Sequence, residues 1–148
     1  MLLRGILAAA VGMLFMNLSS ESEMHVRGRA ASVTPGRATN KLLSLVGVPT
    51  LEGVPLKVLS TWTHYVYGAA WGILLWALFE VAGLPVAAAL PLFFLGVWGA
   101  EQVQLPALGL TPPSWKWGAK EVAIDAMHHV AFAGGIAVAW VLIGVAHS

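Results

Sequence analysis

The chain has 148 residues, of which 58% are hydrophobic and only 10% charged, and its formal net charge is +1. A soluble domain carries about 25% charged residues, so a mean hydropathy of +0.78 excludes a mainly water-covered surface and points to lipid. The near-neutral balance leaves no basic stripe for nucleic acid. The absence of cysteine excludes disulfides, thiolate metal ligands and a thiol nucleophile, so a metal site would have to use His, Asp or Glu.

Four stretches are expected to cross a bilayer, each about 20 residues long. They make the chain a single all-α domain over residues 1–148, an integral membrane four-helix bundle with helices at about 2–20, 60–80, 84–105 and 121–146. The first stretch follows Arg4. A charged residue before an apolar run is also how a signal peptide begins, but Asn17, Ser19, Ser20 and Glu21 follow where a small-x-small cleavage site would stand, which favours a retained helix.

A long connection to about residue 60 comes next. Arg27, Gly28, Arg29, Ser32 and Pro35 read as an ordered polar loop, and 37–46, with Lys41, Leu42, Leu43 and Leu45, as a short interfacial helix ended by Gly47 and Pro49. The second span holds His64. Gly83 and Pro85 then make a tight turn, so the second and third spans are antiparallel neighbours. Pro112, Pro113, Trp115, Lys116 and Trp117 fill the connection before the fourth span, and Trp beside Lys suits the headgroup zone.

Charge sets the expected orientation. Arg27, Arg29, Arg37, Lys41 and Lys57 lie in the long loop and Lys116 and Lys120 in the later connection, against Arg4 alone on the opposite side. The positive-inside rule places both loops in the cytoplasm and both termini outside it, for a bacterial inner membrane. His64-Tyr65-Val66 with Trp76, and His128-His129-Val130 with Trp140, repeat at one offset. Two duplicated helical hairpins would produce this, and so would chance.

The ionisable residues are the candidate site. Under this topology Glu21, His64, Glu101, Asp125, His128 and His129 all fall toward the cytoplasmic leaflet. Asp125 shares a helix face with His128 and His129 at i,i+3 and i,i+4, and Glu121 extends that stripe. A charged side chain in hydrocarbon costs about 2.5 kcal/mol or more, so such groups should turn inward and pair.

Several readings of the cluster stand side by side. Proton or ion handling uses the histidines and carboxylates together. A metal site would draw on His64, Glu101, Asp125 and His128, with iron or zinc suited to imidazole and carboxylate. The full di-metal pattern needs two Glu-x-x-His helices, and here there is one Asp-x-x-His. A haem held by His64 and either His128 or His129 is a further alternative, with Gly68 leaving room for the ring. No cofactor at all is the leading expectation, and the cluster then only ties helices together. Arg27, Arg29, Trp115 and Trp117 are candidate contacts to lipid or a partner. Membrane lipids are the expected partners, with a homo-oligomer or a larger membrane complex as further possibilities and no nucleic acid. No soluble catalytic domain fits in the length, so an enzyme is not the favoured reading.

The run Glu23-Met24-His25-Val26-Arg27-Gly28-Arg29 with Ser32 and Pro35, the run His64-Tyr65-Val66-Tyr67-Gly68, the run Pro106-Ala107-Leu108-Gly109-Leu110 before Pro112, and His128 together resemble the YagU-like family of small bacterial inner-membrane proteins. The resemblance implies a multi-helix inner-membrane protein without established enzymatic chemistry, loosely linked to acid tolerance. It brings no catalytic residues to carry over. Ala30-Ala31 depart from it where relatives are expected to have a proline.

Overall fold

A computed structural model describes residues 2–145, and side chains as far as residue 143. Every element among them is helical. Three helices, α1 (Leu2–Arg27), α5 (Val86–Ala107) and α6 (Ala119–Val145), are long and apolar enough to cross a membrane. Between them lie α2 (Thr34–Ser44), α3 (Gly53–Ala70) and α4 (Gly72–Trp76), the last running into a π-helical turn, Ala77–Val81.

The first helix continues past Ser20 to Arg27. Ser22 Oγ bonds back to the Leu18 carbonyl at 2.7 Å and Arg27 reaches Glu23 one turn earlier at 2.9 Å, so polar residues extend the helix rather than end it. Gly28, at φ +63, closes it: the Arg29 N–H returns to the Met24 carbonyl at 3.1 Å, the signature of a Schellman end. The amphipathic helix expected over 37–46 begins earlier, at Thr34, because Pro35 sits in its first turn, where its missing N–H leaves nothing unpaired. Buried Asn40 ties α2 to the following loop by two bonds to the Leu51 backbone, at 2.8 and 3.1 Å, and Thr39 meets Thr63 of α3 at 2.8 Å.

The second expected span starts at Gly53 rather than near residue 60. Trp71 interrupts α3 and α4 only in form, since its N–H bonds to Tyr67 and its carbonyl accepts from Leu75. In the π turn the Ala82 N–H reaches the Ala77 carbonyl at 2.9 Å, five residues back. The fourth expected span begins at Ala119, and Ala146, the end expected for it, lies outside the described residues.

Packing centres on α1, which lies against α6 along its length and against α3 and α4, while α5 packs on α6. Small residues let this happen. A Cβ on Gly72 would stand 2.6 Å from the Gly5 carbonyl oxygen, and one on Gly12 would stand 2.7 Å from the Phe132 carbonyl oxygen. Met13, Leu75, Phe93, Phe132 and Ile136 fill the middle with almost no exposed surface. Phe93 and Phe132 meet edge to face at 5.4 Å. The exterior is the apolar part, with Leu3, Leu18 and Leu142 each more than 60% exposed.

Candidate functional site

Polar side chains gather at one end of the packed helices, between the last turns of α1 and α5, the middle of α3 and the first turns of α6. They form two groups, one on each side of α6. Adjacent helical residues point about 100° apart, so His128 and His129 look in different directions from the same turn.

His129 looks toward α5. Its Nε2 lies 2.8 Å from Glu101 Oε2, and its Nδ1 lies 2.9 Å from the Asp125 carbonyl oxygen, one turn back on its own helix. A carbonyl oxygen only accepts, so Nδ1 carries a proton and the ring is fixed with Nε2 directed at the carboxylates. Glu101, Asp125 and His129 each bring one ligand atom within 4.8 Å of the others. Trp98 Nε1 donates to Asp125 Oδ2 at 2.7 Å and Gln102 Nε2 donates to the same oxygen at 3.2 Å, which orients that carboxylate. Gln102 Oε1 is buried without a hydrogen-bond partner beside them. His129 is 4% exposed.

His128 looks toward α1. Its Nδ1 is 2.9 Å from Ser19 Oγ, while its Nε2 is buried without a hydrogen bond, 3.9 Å from Glu23 Oε2. Glu23 is the hub of this side. Arg29 holds both its oxygens, with Nε at 2.9 and 2.7 Å, and Arg27 Nη1 donates to it at 2.9 Å. Arg27 also grips Glu121 of α6 in a two-pronged pair at 3.0 and 2.7 Å. The guanidiniums themselves cover Glu23, which lies at the edge of the packing rather than in its depth.

The candidates from sequence thus divide. Glu101, Asp125 and His129 come together; His128 joins Ser19 and Glu23 instead. His64 hydrogen-bonds Asn17 at 3.1 Å, not Glu101. Glu21 is exposed and stands outside both groups. Arg27 and Arg29 spend their guanidiniums on carboxylates of the chain itself, Trp115 is 81% exposed, and Trp117 donates its indole N–H to the Pro112 carbonyl. Space for a ring beside Gly68 is absent: a Cβ there would collide with the Met13 side chain, which occupies that room.

Trp98 and Ser19 were not legible as site residues. The signal for Trp98 was its spacing, i,i+3 from Glu101 and i,i+4 from Gln102 on one helix face. At the opposite end Arg4 and Glu80 approach to 4.0 Å, and Arg4 also donates to the Trp140 carbonyl at 3.1 Å and lies 4.1 Å over its ring. Neither residue is near the first cluster along any helix.

Comparison with protein-family models, curated proteins and solved structures finds no match to this chain.

Proposed function

We propose that the protein is a multi-pass membrane protein that takes a divalent cation, from one side, between Glu101, Asp125 and His129. The observation that carries this is the convergence of three ligand atoms within 4.8 Å on two helices whose outer surfaces are apolar. One imidazole and two carboxylates suit zinc, iron or manganese. Metal-binding histidines typically donate their second ring nitrogen to a carbonyl or carboxylate, and their carboxylate partners are hydrogen-bonded in turn. His129 Nδ1 on the Asp125 carbonyl, and Asp125 Oδ2 under Trp98 and Gln102, have that arrangement.

In this reading α3, α4 and the π turn form a fourth crossing, completing a four-helix membrane bundle with α1, α5 and α6. The excess of Arg and Lys at the site end favours a cytoplasmic position for it, with both termini outside. The resemblance to YagU-like proteins supports a bacterial inner membrane. The ion-linked role takes the form of binding rather than conduction. Beyond the polar end, α1, α4, α5 and α6 meet in the apolar layer of Met13, Leu75, Phe93, Phe132 and Ile136, and that layer stands against a proton or ion path through a single chain.

Metal content of the detergent-purified protein tests this. About one zinc, iron or manganese per chain is expected after loading. His129→Asn and Asp125→Asn should weaken affinity by more than about tenfold, while His64→Asn and His128→Asn should leave it nearly unchanged. Protein that stays metal-free in excess zinc would reduce the cluster to a hydrogen-bonded tie between α5 and α6.

A further inference from the structure

A second, separate feature lies on the α1 side of His128. A cleft of about 460 Å³ opens between the last turns of α1, the first turns of α6 and the loop around the 3-10 turn Ser114–Lys116. Its walls include Arg29, Thr111, Lys116, Trp117 and His128. The volume would hold many waters at about 30 Å³ each.

Most acceptors lining this cleft are already taken by donors of the chain itself. Glu23 has its oxygens occupied by Arg29 and Arg27, and Glu121 has both occupied by Arg27. Asp125 reaches the cleft, but its Oδ2 accepts from Trp98 and Gln102 of α5. Apart from the second Asp125 oxygen, the groups left over are able to donate. His128 is the telling one: its side chain is 9% exposed, and its buried Nε2 has no hydrogen-bond partner. When the Ser19 hydroxyl donates to Nδ1, the proton of the neutral ring sits on Nε2. Thr111 Oγ1 is likewise buried and unpartnered. Lys116 makes no ion pair with any described residue. Buried polar groups in folded proteins are nearly always satisfied, so donors converging on a cleft ask for an acceptor.

We infer that this cleft binds a phosphate group, with His128 Nε2, Thr111 Oγ1 and the Lys116 ammonium as its donors. Phosphate offers several acceptor oxygens and the negative charge that a lysine without a carboxylate partner matches. Trp115 and Trp117 flank Lys116, a composition typical of the membrane interface. A phospholipid headgroup and a soluble phosphate share this chemistry, and the test separates them.

The full-length protein in mild detergent, with EDTA present so that no metal bridges the ligand, would be titrated with phosphatidylglycerol and with diacylglycerol by native mass spectrometry. Inorganic phosphate would be followed by calorimetry. One saturable phosphatidylglycerol site, no matching diacylglycerol site, and at least about tenfold weaker binding in Thr111→Val and in Lys116→Gln are expected. Lys116 is exposed in a loop, so its variant should fold normally. Phosphatidylglycerol binding alone identifies a headgroup; inorganic phosphate binding with the same variant sensitivity identifies a soluble source. Equal retention of diacylglycerol, indifference to both variants, or no binding of either phosphate compound would overturn the inference. None of these results depends on whether zinc binds at His129.

Discussion

Around Gly5, Gly12 and Gly72 the helices approach until backbone meets backbone. From Asn17, His64 and Trp98 toward the loops they are instead joined by polar side chains meeting in pairs: Asn17 with His64, Ser19 with His128, Glu101 with His129, Arg27 with Glu121. The first kind of contact depends on shape and excludes every ligand. The second leaves clefts, unpaired donors and converging carboxylates. In lipid the apolar effect does little to drive helices together, so close packing has to supply the association.

Changes in the packed half should have the largest effects on stability. Phe132→Ala removes a ring that is 2% exposed and touches Phe93, and should cost about 4 kcal/mol by the rule for large core deletions, seen as a lower unfolding temperature in detergent. Gly72→Val should cost about 3 kcal/mol, because its Cβ would meet the backbone of Gly5 and Ile6, which cannot swing aside as a side chain would. Gly99 is the control: a Cβ there meets nothing within 4 Å, so Gly99→Ala should be neutral or slightly stabilising in the same assay.

Changes at the polar end should be smaller and depend on ionic strength. Glu23→Gln leaves Arg27 and Arg29 without their shared carboxylate. It should lower the unfolding temperature less than either core change, by an amount that shrinks as salt rises. Indifference to salt would mean that packing of the Glu23 stem matters more than its charge. Arg4→Gln, at the far end, loses a carbonyl bond and a contact over Trp140 and should cost about 1 kcal/mol. Exposed Glu21→Gln should change nothing measurable.

The all-helical class and the three runs apolar enough to cross a membrane could be read from the sequence, because such runs are local. Asp125 with His129 was legible for the same reason, as an i,i+4 pair. The choice between His128 and His129 was not. The two are neighbours in sequence, and only the placement of α1 and α5 around α6 decides which of them meets Glu101. Nor was the role of Glu23 legible, since its significance comes from Arg29, which Gly28 folds back against it after the helix ends, and from Arg27's reach to Glu121. Arg4 and Glu80 carried a signal of opposite charge at two helix ends, but pairing them required knowing that α1 packs on α4. Gly68 misled in the other direction: a missing side chain looks like room for a ligand until the neighbour that fills it, Met13, is placed.

X-ray absorption at the zinc edge of the metal-loaded protein tests the central claim most directly. The account expects one imidazole nitrogen and a remaining shell of oxygens, at about 2.0–2.2 Å, with the imidazole signal lost in His129→Asn. A shell with two or more imidazoles, or zinc bound only as a hydrated ion, would contradict it.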